Sequence, residues 1–175
     1  MKSKWVWTLL LIAVGVAAYA GNVLATPATV PGFSGTTLAK ATYGEIFSHV
    51  HTIPASWQEL IQTKGASDLY VQENTWDPNL CRGCTPSTGW HTHPGPSFIV
   101  VMQGSVTAYD GDDPTCMPHV YTAGTADNAF IDPGGGHVHL IRNETGSVAK
   151  TIAVQLIPAG AGRRQDAPDP GNCSF

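Results

Sequence analysis

The stretch from Gly89 to Gly104, GWHTHPGPSFIVVMQG, sets His91 and His93 one residue apart just ahead of an apolar run. Successive side chains on a strand point to opposite faces, so residues two apart share a face and these two imidazoles point together. A second stretch, DPGGGHVHLIRN, repeats the device with His137 and His139. Both are entered from turns rich in Pro and Gly, and Gly134 to Gly136 allow a tight turn that keeps bulk away from whatever lies in front. Two such strands meeting inside a small barrel bring neutral imidazoles together, and converging imidazoles bind divalent transition metals.

The elements that must position these histidines are short strands. Hydrophobic residues make up 42% of the 175-residue chain, charged residues only 13%, and there are 19 glycines and 13 prolines. That mixture suits many strands joined by turns rather than long helices. Alternation and turn signals place strands at 68–75, 97–102, 105–109, 129–132, 138–143 and 148–156, with a hairpin turn at Gly104. One short helix is expected where Ser56 and Glu59 make a capping box before Trp57, Leu60 and Ile61, with Gly65 closing it. Residues 26–37 read as a flexible arm or an edge strand. The expected organisation is therefore a leader at 1–25, an arm with the short helix at 26–66, a barrel at 67–157 and a tail at 158–175. Strands of this length and spacing form a closed antiparallel barrel or a double-sheet jelly roll.

Lys2 and Lys4 precede an apolar run from Trp5 to Ala20, with small residues before two cleavage positions, after Ala20 and after Ala25. This is a secretory signal pattern; the alternative is an uncleaved anchor that holds the chain at a membrane. Removing residues 1–25 leaves seven basic against thirteen acidic side chains, a net charge near -6, which excludes nucleic acid as a partner. All four cysteines, Cys81, Cys84, Cys116 and Cys173, lie beyond the leader and read as two disulfides of an exported protein. Three connectivities are open. Cys81 with Cys84 and Cys116 with Cys173 is favoured because the second bridge pins a tail that otherwise has little to bury. A redox pair at CRGC is the rival, but Pro78 and Pro86 flank it and favour a loop.

In two motifs the sequence resembles the cupin superfamily, as a small single-domain member. His91, His93 and Gly104 match the spacing of the first motif, and Gly136, His139 and Asn143 fall into register with the second. The resemblance covers roughly residues 67–157 and implies an all-β barrel, a double-stranded β-helix or jelly roll. It implies one divalent metal, Zn, Mn, Fe, Ni or Cu, held by His91, His93 and His139. Ser97 stands where the family's glutamate ligand usually stands, so a three-histidine, one-carboxylate site is not expected. Ser97 and Asn143 are candidates to support the ligands by hydrogen bonds. His137 is the candidate fourth imidazole, or else faces solvent from the Gly turn.

Without that carboxylate the ion keeps its charge and an open position, which favours a small, anionic ligand. The expected function is a secreted metal- and small-ligand-binding barrel of unassigned activity. The alternative is an extracytoplasmic metal-dependent oxidoreductase, dioxygenase-like, or an isomerase. A general acid or base beside the metal discriminates the two, and neither motif offers one. A homodimer is a further possibility. His49, His51 and His119 have no spacing signal and read as surface or loop residues, the DGDDP run at 110–114 as an exposed hairpin loop, and Trp76, Trp90 and Phe98 as candidates to line the barrel.

Overall fold

The computed structural model describes residues 31–51 and 56–175; the proposed leader lies outside them. Twelve strands are present: β1 (Phe33–Tyr43), β2 (Phe47–His51), β3 (Gln58–Gln62), β4 (Ser67–Trp76), β5 (His91–Thr92), β6 (Ser97–Gln103), β7 (Ser105–Asp110), β8 (His119–Thr122), β9 (Ala129–Asp132), β10 (His139–Arg142), β11 (Ala149–Pro158) and β12 (Gln165–Asp166). All pairings are antiparallel, in two five-stranded sheets ordered β1-β4-β11-β6-β9 and β12-β5-β10-β7-β8, with β2 and β3 forming a separate hairpin. The six strands expected from the sequence are all present, each with its ends within two residues of the expected ones.

The main core lies between the sheets, where Trp76, Val101 and Ala149 of the first meet Val106, Ala108 and Ile141 of the second. Trp76 is fully buried, which at this side-chain size is worth roughly 4–6 kcal/mol of transfer free energy. Along β11 the buried positions alternate, Ala149, Thr151, Ala153, Gln155 and Ile157. The small residues in this row leave space inside the barrel, and Ala153 lines the cavity that results. Phe98 was a candidate to line the barrel, but alternation along β6 buries Ser97 and Ile99 and leaves Phe98 51% exposed.

The outer face of the second sheet also needs cover, because Tyr109 and Leu140 point away from the barrel. They are buried against Trp90 and Ala167, beside Cys116 and Cys173. The segment 158–175 is thus no mere tail: β12 pairs with β5, and Ala167 N–H donates to the Trp90 carbonyl. Cys116 and Cys173 stand at disulfide distance, Cα to Cα 5.3 Å, as do Cys81 and Cys84 at 5.2 Å, so the favoured pairing is the one present. Such bridges suit an oxidising, extracytoplasmic setting. No helix among the described residues is long and apolar enough to cross a membrane.

The short helix expected at 56–65 is instead strand β3. Glu59 does not cap a helix but accepts from Ser48 Oγ across the hairpin at 3.0 Å, and Leu60 lies opposite His49. Pairing with the preceding strand outweighs a local capping signal, as tertiary context commonly overrides propensity. The arm expected at 26–37 contributes to β1, which runs as an edge strand along β4.

Candidate metal centre

Strand pairing builds the centre. His91 on β5 lies directly opposite His139 on β10, so their rings sit 4.2 Å apart between centroids. His93 follows two residues after His91 on the same face, with centroids 4.8 Å from His91 and 5.3 Å from His139. One ring nitrogen from each of the three lies within 4.8 Å of the others, close enough to hold one ion.

Backbone carbonyls decide how two of these rings face. His91 Nδ1 lies 2.9 Å from the Gly89 carbonyl, and His93 Nδ1 lies 2.5 Å from the Arg163 carbonyl. A carbonyl only accepts, so each Nδ1 carries the hydrogen and each Nε2 keeps its lone pair for a ligand. Burial holds all three imidazoles neutral, the form that binds metal. His91 is pushed well below its ordinary value by desolvation, with His139 adding to the effect. His93 is lowered by desolvation against the raising influence of the Arg163 carbonyl and Asp132, and desolvation brings His139 to about 4.

Ser97 leaves the first motif without a carboxylate, but one from outside that motif, Asp132, lies nearby. In the β6–β9 register Ser97 lies opposite Asp132. Asp132 is 3% exposed, with Oδ2 3.8 Å from His93 Nε2 and Oδ1 3.6 Å from His139 Nδ1 and 3.2 Å from His137 Nδ1. Gly134 N–H donates to Oδ1 at 3.1 Å. Among the described residues, Asp132 Oδ2 and His139 Nδ1 have no hydrogen-bond partner. Buried polar atoms are rarely left unpaired, so two such atoms on side chains within a cluster of imidazoles fit a site for a cation.

Ser97 is buried and accepts from Gln155 Nε2 at 3.0 Å. Gln155 was not singled out in the sequence, yet its Oε1 accepts from Arg163 Nη1 at 3.2 Å, so it ties Ser97 to the segment that holds His93. Asn143 is buried but turned away from the rings: Nδ2 donates to the Trp76 and Ser147 carbonyls, and Oδ1 accepts from Thr145. It therefore fastens the turn after β10. His137 stacks on His139 at 5.8 Å and 14°, on the side away from His91 and His93. Asp113 closes the 110–114 loop by accepting from Thr115 and Met117. His49 and His51 are exposed on β2.

Inside the barrel the triad opens onto a small cavity of about 100 Å³, lined also by Ser97, Ile99, Gln155, Arg163 and Arg164. Arg164 Nε donates to Asp166 at 2.7 Å, while Nη2 is buried without a partner. The centre thus combines imidazoles, one carboxylate and two guanidinium groups.

No protein-family model matches the chain, and no curated protein matches it. Among solved structures, it is similar to a cupin superfamily protein of Desulfitobacterium hafniense, with 11% identity over 70% of this chain and 81% of that one and a TM-score of 0.40. It is also similar to an uncharacterized conserved protein with a double-stranded beta-helix domain from Klebsiella pneumoniae, 18% identical over 71% and 84% with a TM-score of 0.41, and to a cupin-like protein of Thermotoga maritima, 14% identical over 58% and 65% with a TM-score of 0.40.

Proposed function

We propose that this chain is an exported cupin-type barrel that binds one divalent transition metal in its interior through His91, His93 and His139, and presents that ion to a small anionic ligand. The observation that carries the reading is that His91 and His93 each spend Nδ1 on a carbonyl while one ring nitrogen from each of His91, His93 and His139 lies within 4.8 Å of the others. Asp132 offsets part of the ion's charge. Arg164, with an unpartnered Nη2 in the wall of the same cavity, supplies the complementary charge for an anion. When bound, the metal supplies a Lewis-acidic position.

Dialysis of tag-free protein against Zn²⁺ or Co²⁺, followed by elemental analysis, tests the metal. Wild type retains metal, and His91→Ala and His93→Ala each remove the inner ion. Wild-type protein that retains none overturns the reading. Azide, titrated into Co²⁺-loaded protein, probes the anion position. It shifts the visible spectrum, and Arg164→Ala weakens that response.

A second reading, a metal-dependent oxidoreductase or isomerase, is favoured by Asp132 itself. It is the acid or base group that the two motifs lack, and it stands beside the imidazoles.

A further inference from the structure

His139 is the wall between two cavities. On one side lies the barrel interior with His91 and His93. On the other lies a cleft of about 270 Å³ that contains Asp110, Asp132 and His137 but neither His91 nor His93. His139 alone lines both. The outer side carries its own set of donors: one atom each from Asp132, His137 and His139 lies within 4.8 Å of the others.

Two histidines and one carboxylate on one side of an ion, with the remaining positions open, are a common donor set for first-row divalent metals. The backbone holds it together. Asp132 ends β9, His139 begins β10, and the turn between them brings His137 back over the carboxylate, fixed by Gly134 N–H on Asp132 Oδ1 and by His137 N–H on the Gly134 carbonyl. The two atoms without partners, Asp132 Oδ2 and His139 Nδ1, belong to side chains only 2% and 5% exposed. Asp110 lies next along the cleft, its Oδ1 3.4 Å from His137 Nε2, and adds negative charge where a cation enters.

We infer that the protein has a second divalent-cation site, formed by Asp132, His137 and His139, on the outer side of the His139 ring. His139 offers Nδ1 to this outer ion and Nε2 to the inner one, its single N–H proton passing to solvent as the second ion binds, so the fully loaded protein holds two ions joined by one imidazolate. The outer site rests on the proposed inner site only for that bridge; its other ligands are its own. Because the cleft is open to solvent, the outer ion is the one that exchanges faster.

Equilibrium dialysis of the full chain against Zn²⁺ alone, with elemental analysis, separates the two sites. The expected result is two ions for wild type, one for His137→Ala, one for His91→Ala and none retained by His139→Ala. Asp132→Asn, which preserves side-chain shape, retains the inner ion and loses the outer, and circular dichroism of each variant confirms that it is folded. A wild-type stoichiometry of one that survives His137→Ala overturns the outer site and leaves the inner one standing. A stoichiometry of one that survives His91→Ala but not His137→Ala sustains the outer site and overturns the inner. Protein that binds no ion overturns both.

Discussion

Two buried carboxylates, Asp68 and Asp132, are almost equally hidden from solvent and differ in everything else. Asp68 is surrounded by donors: Thr42 Oγ1 at 2.6 Å, Gly160 N–H at 2.9 Å and Lys40 Nζ at 2.9 Å. Those partners hold its carboxyl down at about 2, the Gly160 backbone hydrogen bond contributing most. Among the described residues Asp132 has no Lys or Arg partner, one backbone donor, three imidazoles nearby and an oxygen with no partner. A buried anion satisfied on every side is an element of construction. One left open beside imidazoles is incomplete until a cation arrives, since an unpaired buried charge is costly.

Exchanging each carboxylate for an amide breaks the comparison most directly. Asp132→Asn is expected to lose the outer ion and to weaken Zn²⁺ binding at the inner site by about 10- to 100-fold, the usual cost of removing a group that supports metal ligands, while the metal-free melting temperature holds or rises. Asp68→Asn is expected to do the reverse, lowering the melting temperature and leaving Zn²⁺ affinity unchanged. Calorimetric titration and thermal melting on the same samples read both, and equal losses of affinity in the two variants would erase the distinction.

Acid titration of metal-free protein sharpens it. Burial lowers His139 from 6.5 to about 4, so the folded state favours the neutral ring; the associated stability is complete above about pH 6.5 and is lost as pH falls toward 4. Asp68 is lowered from 3.8 to about 2, so its contribution is complete above about pH 4 and is lost as pH falls toward 2. Melting temperatures measured from pH 7 downward are expected to fall in two stages, and Asp68→Asn is expected to remove the lower stage alone. The smallest effect belongs to Ser97. Ser97→Ala removes one hydrogen bond from Gln155 and is expected to weaken Zn²⁺ binding by about tenfold at most, without changing stoichiometry.

The same pair shows what the sequence makes legible. The histidines are found by spacing alone, because a period of two forces His91 and His93 onto one face whatever the strand pairs with. Asp132 has no such signal. Its importance comes from lying opposite Ser97 across a ladder, and that register is settled by packing elsewhere in the sheet. Gln155 is hidden for a related reason. Ile152, Val154 and Leu156 make the outward row of β11 as apolar as the inward one, so the pattern does not say which row carries the site. The Ser56–Glu59 signal misled because it is local, whereas the 47–51 strand that pairs with Glu59 lies outside the window it reads. The 158–175 segment reads as a tail with little to bury, yet it supplies a carbonyl and two guanidinium groups to the centre.

That last contact has a consequence for how the protein is made. His93 is oriented by the Arg163 carbonyl, 70 residues further along the chain. At ordinary rates of synthesis, a ribosome needs roughly 4–14 seconds to cover that distance. Throughout that interval the nascent chain already carries its paired histidines, but the ring of His93 is free to rotate. Asp166, opposite His91, and Cys173, which closes the tail onto Cys116, emerge later still. The arrangement of imidazoles that the proposed metal site requires is therefore complete only after the C-terminal strap has been laid down.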